Sequence, residues 1–401
     1  MHIAPDILHG MNTARPMRIG IAAPADLSLL GAMFPNSALP QGLGSTVISQ
    51  LVLALCDGGD RVVLYTLDEG VTCHQRFDAG NLTVHVAPYR RRHRMRDLMA
   101  AERRAIRDMI RKDPPDVVSA HWGYEFALGA LAAGYPTLIT FYDWAPRILR
   151  FKPDLYRLGR LGLFLWTLAT GRHFAAPSPY IAERIGRFSR KPCPVVGQPL
   201  EERFFRPVPR RWPEGEPALV SVANGWGRLK NTRTLIQAFA MLRRRFPTAV
   251  LTFYGSEHGP GQAAECWAQS AGLADGIVFA GLVPNAVVLE RLAQCHLCVH
   301  PSLEEAFGQI ALEALALGTP IVAGQNAGAI PWVLEEGRAG LLVDTRDPAA
   351  LSDAMASLLL DHDRWERYSV AGLASARRRF TARAVADRYR ALLRDLRNET
   401  G

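Results

Sequence analysis

Residues 300–323 read HPSLEEAFGQIALEALALGTPIVA, and this stretch decides the fold of its half of the chain. An apolar strand ends at His300, and an acidic loop that contains Glu305 follows it. A helix comes next, and Gly318 ends it, because glycine readily adopts the left-handed conformation that closes a helix. Pro320 then opens a second apolar strand. This order of strand, loop, helix and strand predicts a βαβ unit of a parallel sheet.

The predicted helix carries unusual chemistry for a buried element. Its beginning, residues 308–310, offers N–H groups and a positive dipole end to a diphosphate. Glu313 lies among apolar residues, where a lone carboxylate is costly unless it accepts hydrogen bonds. We therefore interpret Glu305 and Glu313 as acceptors for sugar hydroxyls. The alternative is a capped structural helix in which Glu305 is only an acidic residue of the first turn.

The order of elements found here recurs along the chain. Apolar strands are predicted at 17–23 and 61–65, on either side of a glycine-containing loop and a helix. With 401 residues the chain is long enough for two domains. We predict an α/β fold of two Rossmann-like, doubly wound parallel-sheet domains, over residues 17–200 and 201–377, facing each other across a cleft. The proline-rich stretch 192–217 is the predicted hinge, and a last helix, about 378–398, is expected to pack back on the first domain.

The charge of the chain is uneven. Its formal net charge is +9, with 48% hydrophobic and 21% charged residues. Residues 1–200 contain 24 Lys and Arg against 16 Asp and Glu, whereas the remainder contains 23 against 22. A basic first half suits an anionic partner, namely a phosphorylated substrate, a membrane surface or a nucleic acid, or else a solvated face. No nucleic-acid-binding motif is found, so we expect no nucleic acid.

The six cysteines do not form a disulfide pattern for a chain of this length. Cys295 and Cys298 spell C-x-x-C, but no second pair lies at zinc-finger spacing, and we expect no metal site. No secretory leader and no membrane-spanning apolar run is evident. These features favour a cytoplasmic protein.

Four blocks of the sequence match one family pattern. They are Pro301-Ser302, Glu305-Ala306-Phe307-Gly308, Glu313-Ala314 and Gly318-Thr319-Pro320-Ile321-Val322-Ala323. The chain thereby resembles the retaining family-four glycosyltransferases of GT-B fold, whose hallmark is two glutamates with seven residues between them. The resemblance extends from about Met17 to the final helix and is stronger in the second half.

The resemblance implies roles for residues of the second domain. Glu305 would contact hydroxyls of the donor sugar, and Glu313 would bind the ribose diol. The remaining expected donor contacts are Phe307, Gly308, Gln309, Ile310 and, near the base, Val283.

A basic loop after the first strand of the second domain completes this pattern. The family usually places an Arg and a Lys there for the diphosphate. Lys230 fits this position well, because Asn231 and a helix follow it. Arg228 stands two residues away instead of the usual five, and it is expected to be the second cation that meets the charge of the diphosphate.

The first domain matches the family less closely. Gly42 and Gly44 resemble the glycine-rich loop that lets the backbone approach the diphosphate and acceptor. Tyr142 occupies the position of the usual His near the reacting sugar, and a tyrosine can still donate a hydrogen bond. Asp143 is a candidate partner for the acceptor. His121, after another strand end, is expected either to face the cleft or to be structural.

The implied reaction transfers a sugar from a nucleoside diphosphate sugar, with retention, to a glycan or lipid-linked acceptor of cell-surface polysaccharide synthesis. Neither a cofactor nor a metal ion is expected. A non-catalytic sugar-nucleotide-binding protein of the same fold is the main alternative. A nicotinamide dehydrogenase is disfavoured, since no G-x-G-x-x-G follows a strand.

Two stretches suggest peripheral contact with an anionic membrane. Residues 90–96 read RRRHRMR and open a predicted helix that continues to Lys112. Residues 155–168 mix Leu, Phe and Trp with two arginines. Together they suit shallow binding at the cytoplasmic face of a membrane. A solvated helix and a core helix are the alternatives.

Overall fold

The first sheet is built from strands of the first half of the chain. The structure, a computed structural model, describes residues 16–206 and 210–400. The strands are β1 (Arg18–Ala22), β2 (Arg61–Asp68), β3 (Gln75–Ala79), β4 (Leu82–Pro88), β5 (Val117–His121), β6 (Thr137–Thr140) and β7 (His173–Ala175). Their order across the sheet is β3-β4-β2-β1-β5-β6-β7, and only β3 and β4 pair antiparallel. The helices are α1 (Thr46–Asp57), α2 (Ala100–Lys112), α3 (Glu125–Ala133), α4 (Ala145–Phe151), α5 (Leu155–Thr170) and α6 (Pro179–Ser189).

Among the described residues, the second sheet has six parallel strands. They are β8 (Ala218–Val222), β9 (Val250–Tyr254), β10 (Ile277–Gly281), β11 (Leu297–His300), β12 (Ile321–Gly324) and β13 (Leu341–Val343). Their order is β10-β9-β8-β11-β12-β13. The helices that follow in the chain are α7 (Thr232–Arg243), α8 (Ala263–Ser270), α9 (Asn285–Gln294), α10 (Gln309–Ala316), α11 (Ile330–Val333), α12 (Pro348–Leu360), α13 (His362–Phe380) and α14 (Ala382–Thr400).

The predicted fold class, two doubly wound parallel sheets, is confirmed. Helices cover both faces of each sheet. Because both faces of the strands are buried, their sequences are continuous apolar runs and do not alternate between apolar and polar residues. β11, for example, is buried at all four positions. In each sheet the strand order reverses once, between β1 and β5 and between β8 and β11. Ligands of open α/β sheets bind at the carboxyl ends of the strands at such a switch point.

The chain crosses between the two units at two neighbouring places. Leu200 donates its N–H to Phe380 O, and Ala382 donates to Leu200 O, both at 2.9 Å. Beyond this point α14 lies on the first unit, where Tyr389 and Leu393 are buried in the core beside α1. Pro207 and Pro209, which belong to the predicted hinge, lie outside the described residues.

Between residues 75 and 99 the structure differs from the sequence prediction. The hairpin of β3 and β4 was not predicted; three of the five β3 residues are only half-buried, which gives a weak apolar signal. The basic stretch 90–96 does not continue as one helix to Lys112. A 3-10 turn over Arg94–Asp97 is separated from α2 by Leu98 and Met99, whose φ angles are 50° and 58°. Positive φ angles interrupt a right-handed helix.

Candidate active site

The loop between β11 and α10 lies at the switch point of the second sheet. Gly308 precedes the helix with a φ of 98°, and a Cβ at this position would lie 2.4 Å from Ile330 Cδ1. Only glycine fits there without strain. The first intrahelical hydrogen bonds are donated by Ala311 and Leu312 to Gly308 O. The N–H groups of Gln309 and Ile310 therefore precede the helical ladder, as they would for binding an anion.

Glu305 is held by two basic side chains. Lys230 Nζ donates to Glu305 Oε1 at 2.6 Å, and His300 Nε2 lies 3.4 Å from the same oxygen. Burial raises the pKa of Glu305, but the His300 and Lys230 contacts outweigh it and lower the pKa to about 2. The site thus contains a permanent carboxylate beside a fixed ammonium group. His300 was interpreted from the sequence only as the end of a strand.

Glu313 is a buried carboxyl group with an unmet hydrogen-bonding capacity. The residue is 5% exposed, and its Oε2 atom has no hydrogen-bond partner among the described residues. Burial raises its pKa from 4.5 to about 7, although the Gln309 and Asn285 side chains lower it. Such a group is costly to the fold by itself, which is typical of a site that is completed by a ligand.

The two cations after β8 occupy different environments. A 3-10 turn spans Arg228–Lys230, and Asn231 Nδ2 donates to Thr345 O at 2.6 Å and to Pro301 O at 3.2 Å. Lys230 thereby points to Glu305. Arg228 is exposed, and within the described part of the chain it forms no ion pair with either glutamate of the motif. The structure brings Lys230, and not Arg228, to Glu305.

The glycine loop lies after β1, at the switch point of the first sheet. Gly42 and Gly44 have φ angles of 77° and 74°. A Cβ on Gly42 would lie 2.2 Å from Ala25 O, so the close approach requires glycine. The Gly42 N–H donates to Asp68 Oδ2 at 2.6 Å, which fixes the loop against the end of β2.

His121 does not face the cleft; its side chain is fully buried. Its ring lies between Ser119 Oγ at 3.1 Å and the Tyr142 hydroxyl at 2.9 Å, and it packs on Tyr389 of α14. Burial lowers the pKa of His121 to about 3, so the ring is neutral. Of the two expectations for His121, this burial agrees with the structural one, because α14 returns over this part of the first sheet.

Tyr142 and Asp143 follow β6 but have different surroundings. The Tyr142 ring stacks on Trp122 with the centroids 4.4 Å apart. Asp143 accepts from the Tyr124 hydroxyl at 2.8 Å and from Arg160 at 3.0 Å. Burial raises the pKa of Asp143, while Arg160 opposes that shift. Both residues therefore belong to networks within the first domain.

Cys295 and Cys298 are buried free thiols. Burial raises the pKa of Cys295 to about 12 and that of Cys298 well above its ordinary value. Thiols in this state are poor metal ligands, since the thiolate is the coordinating form. Over the described ranges, no group of three or more His, Cys, Asp or Glu side chains is arranged to hold a metal ion.

Family models match both halves of the chain. The family described as "Glycosyltransferase Family 4" matches residues 44–197, and "Glycosyl transferases group 1" matches residues 203–373. Together the matches include Gly44 of the glycine loop, Lys230 and the segment from His300 to Glu313. The chain belongs to the group 1, family-four glycosyltransferases.

Relatives in this family match over part of their length. D-inositol 3-phosphate glycosyltransferase of Corynebacterium urealyticum is 34% identical over 176 residues, which are 41% of this chain and 41% of that protein. GDP-mannose-dependent alpha-(1-6)-phosphatidylinositol monomannoside mannosyltransferase of Mycobacterium tuberculosis is 32% identical over 183 residues, 42% of this chain and 47% of the relative. The matches therefore span less than half of these relatives.

Solved structures share the fold of this glycosyltransferase family member over nearly its whole length. Sucrose-phosphate synthase of Thermosynechococcus elongatus has a TM-score of 0.74 at 18% identity, covering 96% of this chain and 100% of that one. Anabaena HepE in complex with UDP-glucose has a TM-score of 0.66 at 15% identity, covering 94% and 100%. At these identities the likeness concerns the fold alone.

The Glu313→Gln substitution tests the cost of the buried carboxyl. Because the folded-state pKa is raised, the stability associated with protonated Glu313 is present below pH 4.5 and is lost as pH rises towards 7. At pH 8 the glutamine variant should therefore be more stable than the wild type by roughly 3 kcal/mol. The difference should vanish near pH 4.5, as measured by thermal unfolding at both pH values.

Glu366→Gln serves as the control, because Glu366 is an exposed carboxylate of α13 in the same domain. Equal melting temperatures of the wild type and Glu313→Gln at pH 8 would contradict a buried, costly carboxyl at position 313.

Proposed function

We propose that this protein is a glycosyltransferase that moves a sugar from a nucleoside diphosphate sugar to an acceptor, with retention of configuration and without a metal ion. The observation that carries the proposal is the Lys230–Glu305 pair beside the beginning of α10. A cation, a carboxylate and the two N–H groups at the beginning of α10 thus lie at the switch point of the second sheet. Membership of the family supports retention.

The donor is proposed to lie along α10. Its diphosphate would accept from the N–H groups of Gln309 and Ile310 and from Lys230. Glu305 would accept hydrogen bonds from sugar hydroxyls, and Glu313 from the ribose diol. The base would lie near Val283, since Asn285 at the start of α9 is close to the Glu313 carboxyl.

Charge development explains why these groups would accelerate transfer. When the glycosidic bond to the diphosphate breaks, negative charge grows on the leaving oxygens. Lys230 and the α10 N–H groups are already oriented by the fold, so they would stabilise this charge without reorganisation. No metal ion is needed in this scheme to meet the charge of the diphosphate.

The acceptor is proposed to bind in the first domain. A cavity of about 330 Å³ is lined by Trp122, Tyr124, Arg94, Arg160 and Glu125, among others. Aromatic rings beside guanidinium and carboxylate groups suit a polyol ring that carries a phosphate. The names of the relatives mention inositol phosphate and phosphatidylinositol mannoside, and we infer a related glycan or lipid-linked polyol acceptor here.

A surface next to this cavity supports a membrane-associated acceptor. On α5 the exposed apolar residues Leu155, Leu158, Leu165 and Trp166 share one face, and they are 38–85% exposed. The basic stretch 90–96 touches the same helix, because Arg94 donates to the Tyr156 hydroxyl. Arg91, Arg92 and Arg96 are exposed. Apolar residues flanked by arginines suit an anionic bilayer surface, at the cytoplasmic face of a membrane.

No helix in the part of the chain that the structure describes is long and apolar enough to cross a bilayer.

Substitution of the ion pair tests the proposed donor site. Lys230→Ala and Glu305→Ala should each lower turnover at least about 100-fold, because loss of one preorganised charge contact typically costs about 3 kcal/mol of barrier. Turnover is measured as nucleoside diphosphate release from a panel of nucleotide sugars in the presence of EDTA. The anomeric configuration of the product, determined by NMR, tests retention.

Lys112→Ala is the matched control, since Lys112 is an exposed lysine at the end of α2. Normal turnover in both site variants would refute the assignment. Tight nucleotide-sugar binding without transfer or hydrolysis, over a broad range of acceptors, would favour the non-catalytic binding protein.

Vesicle binding tests the proposed membrane surface. The protein should sediment with vesicles that contain anionic lipid at low salt, and binding should weaken at high salt, because arginine–headgroup attraction is screened. Leu155→Ser with Leu158→Ser should reduce binding at least about tenfold, since apolar burial adds to the attraction. Leu360→Ser, an exposed leucine of the second domain, should leave binding unchanged. Equal binding to neutral vesicles, or none at low salt, would contradict this surface.

A further inference from the structure

The loop that carries Glu305 is fixed by its own domain on two sides. Leu303 donates its N–H to Leu229 O at 2.8 Å, which ties the loop to the turn that contains Lys230. Ala329 donates to Glu305 O at 2.9 Å. Gly328 is required for this approach, because a Cβ at that position would lie 2.3 Å from Glu305 O. Within the second domain, the loop is therefore held by backbone contacts.

The other side of the same loop contacts the first domain. Glu304 accepts one hydrogen bond from Arg147 of α4 and one from the Tyr180 hydroxyl of α6, each on a different carboxylate oxygen. Ser178, which is fully buried, donates its hydroxyl to Ala306 O at 2.5 Å. These contacts connect two domains through residues on both sides of Glu305.

The chemistry of these contacts suits a switchable connection. The Glu304 carboxylate is 12% exposed, whereas the Arg147 side chain is 42% exposed and remains accessible to water. Burial raises the pKa of Tyr180, and the Glu304 carboxylate raises it further, so the phenol is a hydrogen-bond donor at neutral pH. The side chains of the neighbouring residues Glu304 and Glu305 contact different domains: Glu304 binds the first domain, and Glu305 binds Lys230 of the second.

The hydrogen bonds of Glu304 can form only when the two domains are close together. The chain crosses between them at Leu200 and Thr381, where two backbone hydrogen bonds hold the crossings side by side. Because the two crossings lie side by side, the simplest relative motion of the two domains is a rotation about this region. The Glu304 contacts join a loop of the second domain to α4 and α6 of the first, where rotation would separate them.

We propose that Glu304, Arg147 and Tyr180 form a latch that holds the domains closed and positions the Glu305 loop against the acceptor domain. The proposal rests on the proposed transferase function of this site. Glu304 is a positioning residue, since it acts through the loop and through domain closure. Apart from the glycine loop of Gly42 and Gly44, the proposed donor contacts belong to the second domain, so opening the latch would leave most of the donor site intact and impair the step that needs both domains.

Kinetics of latch variants provide the first test. Tyr180→Phe, Arg147→Ala and Glu304→Gln should each lower kcat about tenfold, as for the loss of a partly screened hydrogen bond to a charged group. The Kd for a nucleoside diphosphate should stay within about twofold of the wild-type value, because the second-domain contacts remain. Arg150→Ala, an exposed arginine on the same helix as Arg147, should behave as the wild type.

A double-mutant cycle shows whether Arg147 and Glu304 act through one shared contact or affect kcat independently. The Arg147→Ala, Glu304→Gln double variant should be no slower than the more impaired single variant. If the kcat losses of the two single variants multiply in the double variant, the latch is overturned. Unchanged kcat in all three single variants would also overturn it. Tyr180→Phe removes only a hydroxyl, so it provides the same test if a larger substitution does not fold.

Domain separation gives a readout that does not depend on turnover. Cys73 in the first domain and Cys266 in the second are exposed and can carry a fluorophore pair, in a Cys193→Ser background; the other three thiols are buried. With saturating nucleoside diphosphate, latch variants should shift the pair to longer distances than the wild type. Unchanged distances in Tyr180→Phe and Arg147→Ala would overturn the proposal.

The two measurements distinguish the latch from the function on which it rests. If the distances lengthen but no donor is used by the wild type, the proposed function fails in its transfer step and domain closure by Glu304 stands. If the wild type transfers sugar and the latch variants match it in rate and distance, the latch alone is wrong.

Discussion

The ion pair between Lys230 and Glu305 is the interaction on which the site depends. It joins the turn after β8 to the loop after β11, and these two strands are neighbours at the point where the strand order of the second sheet reverses. A carboxylate and an ammonium group come together there because parallel strands deliver their following loops to one edge. The His300 ring, buried at the end of β11, keeps Glu305 ionised from the other side.

The same site contains groups that the fold alone does not satisfy. Glu313 carries a carboxyl oxygen without a partner, and Gln309 carries a buried amide oxygen in the same state among the described residues. Both lie on α10, next to N–H groups that precede the helical ladder. Buried polar atoms that lack partners beside an oriented cation are typical of a site that binds a polar ligand. A diol and a diphosphate within one molecule match this distribution of acceptors and donors.

Local patterns in the sequence were sufficient to predict much of this arrangement. The helix from Gln309 and its end at Gly318 follow from short-range rules on apolar runs and glycine. The role expected of Lys230 came from the family resemblance. The roles of distant residues could not be predicted in the same way. His121 is buried because α14 returns from far along the chain, and Glu304 meets Arg147 and Tyr180 through domain packing. Backbone irregularity between residues 93 and 99 likewise has no clear local signal.

In the proposed donor site, a nucleoside diphosphate binds between the Lys230 turn and the beginning of α10. Amide hydrogen exchange, with and without UDP or GDP, tests it most directly, because N–H groups at the helix start are themselves the proposed donors. We predict slower exchange in peptides that span 224–231 and 303–316, with no change in α2 of the first domain. Exchange that is unchanged in both of these segments at saturating nucleotide, or slowed only in the first domain, would contradict the account.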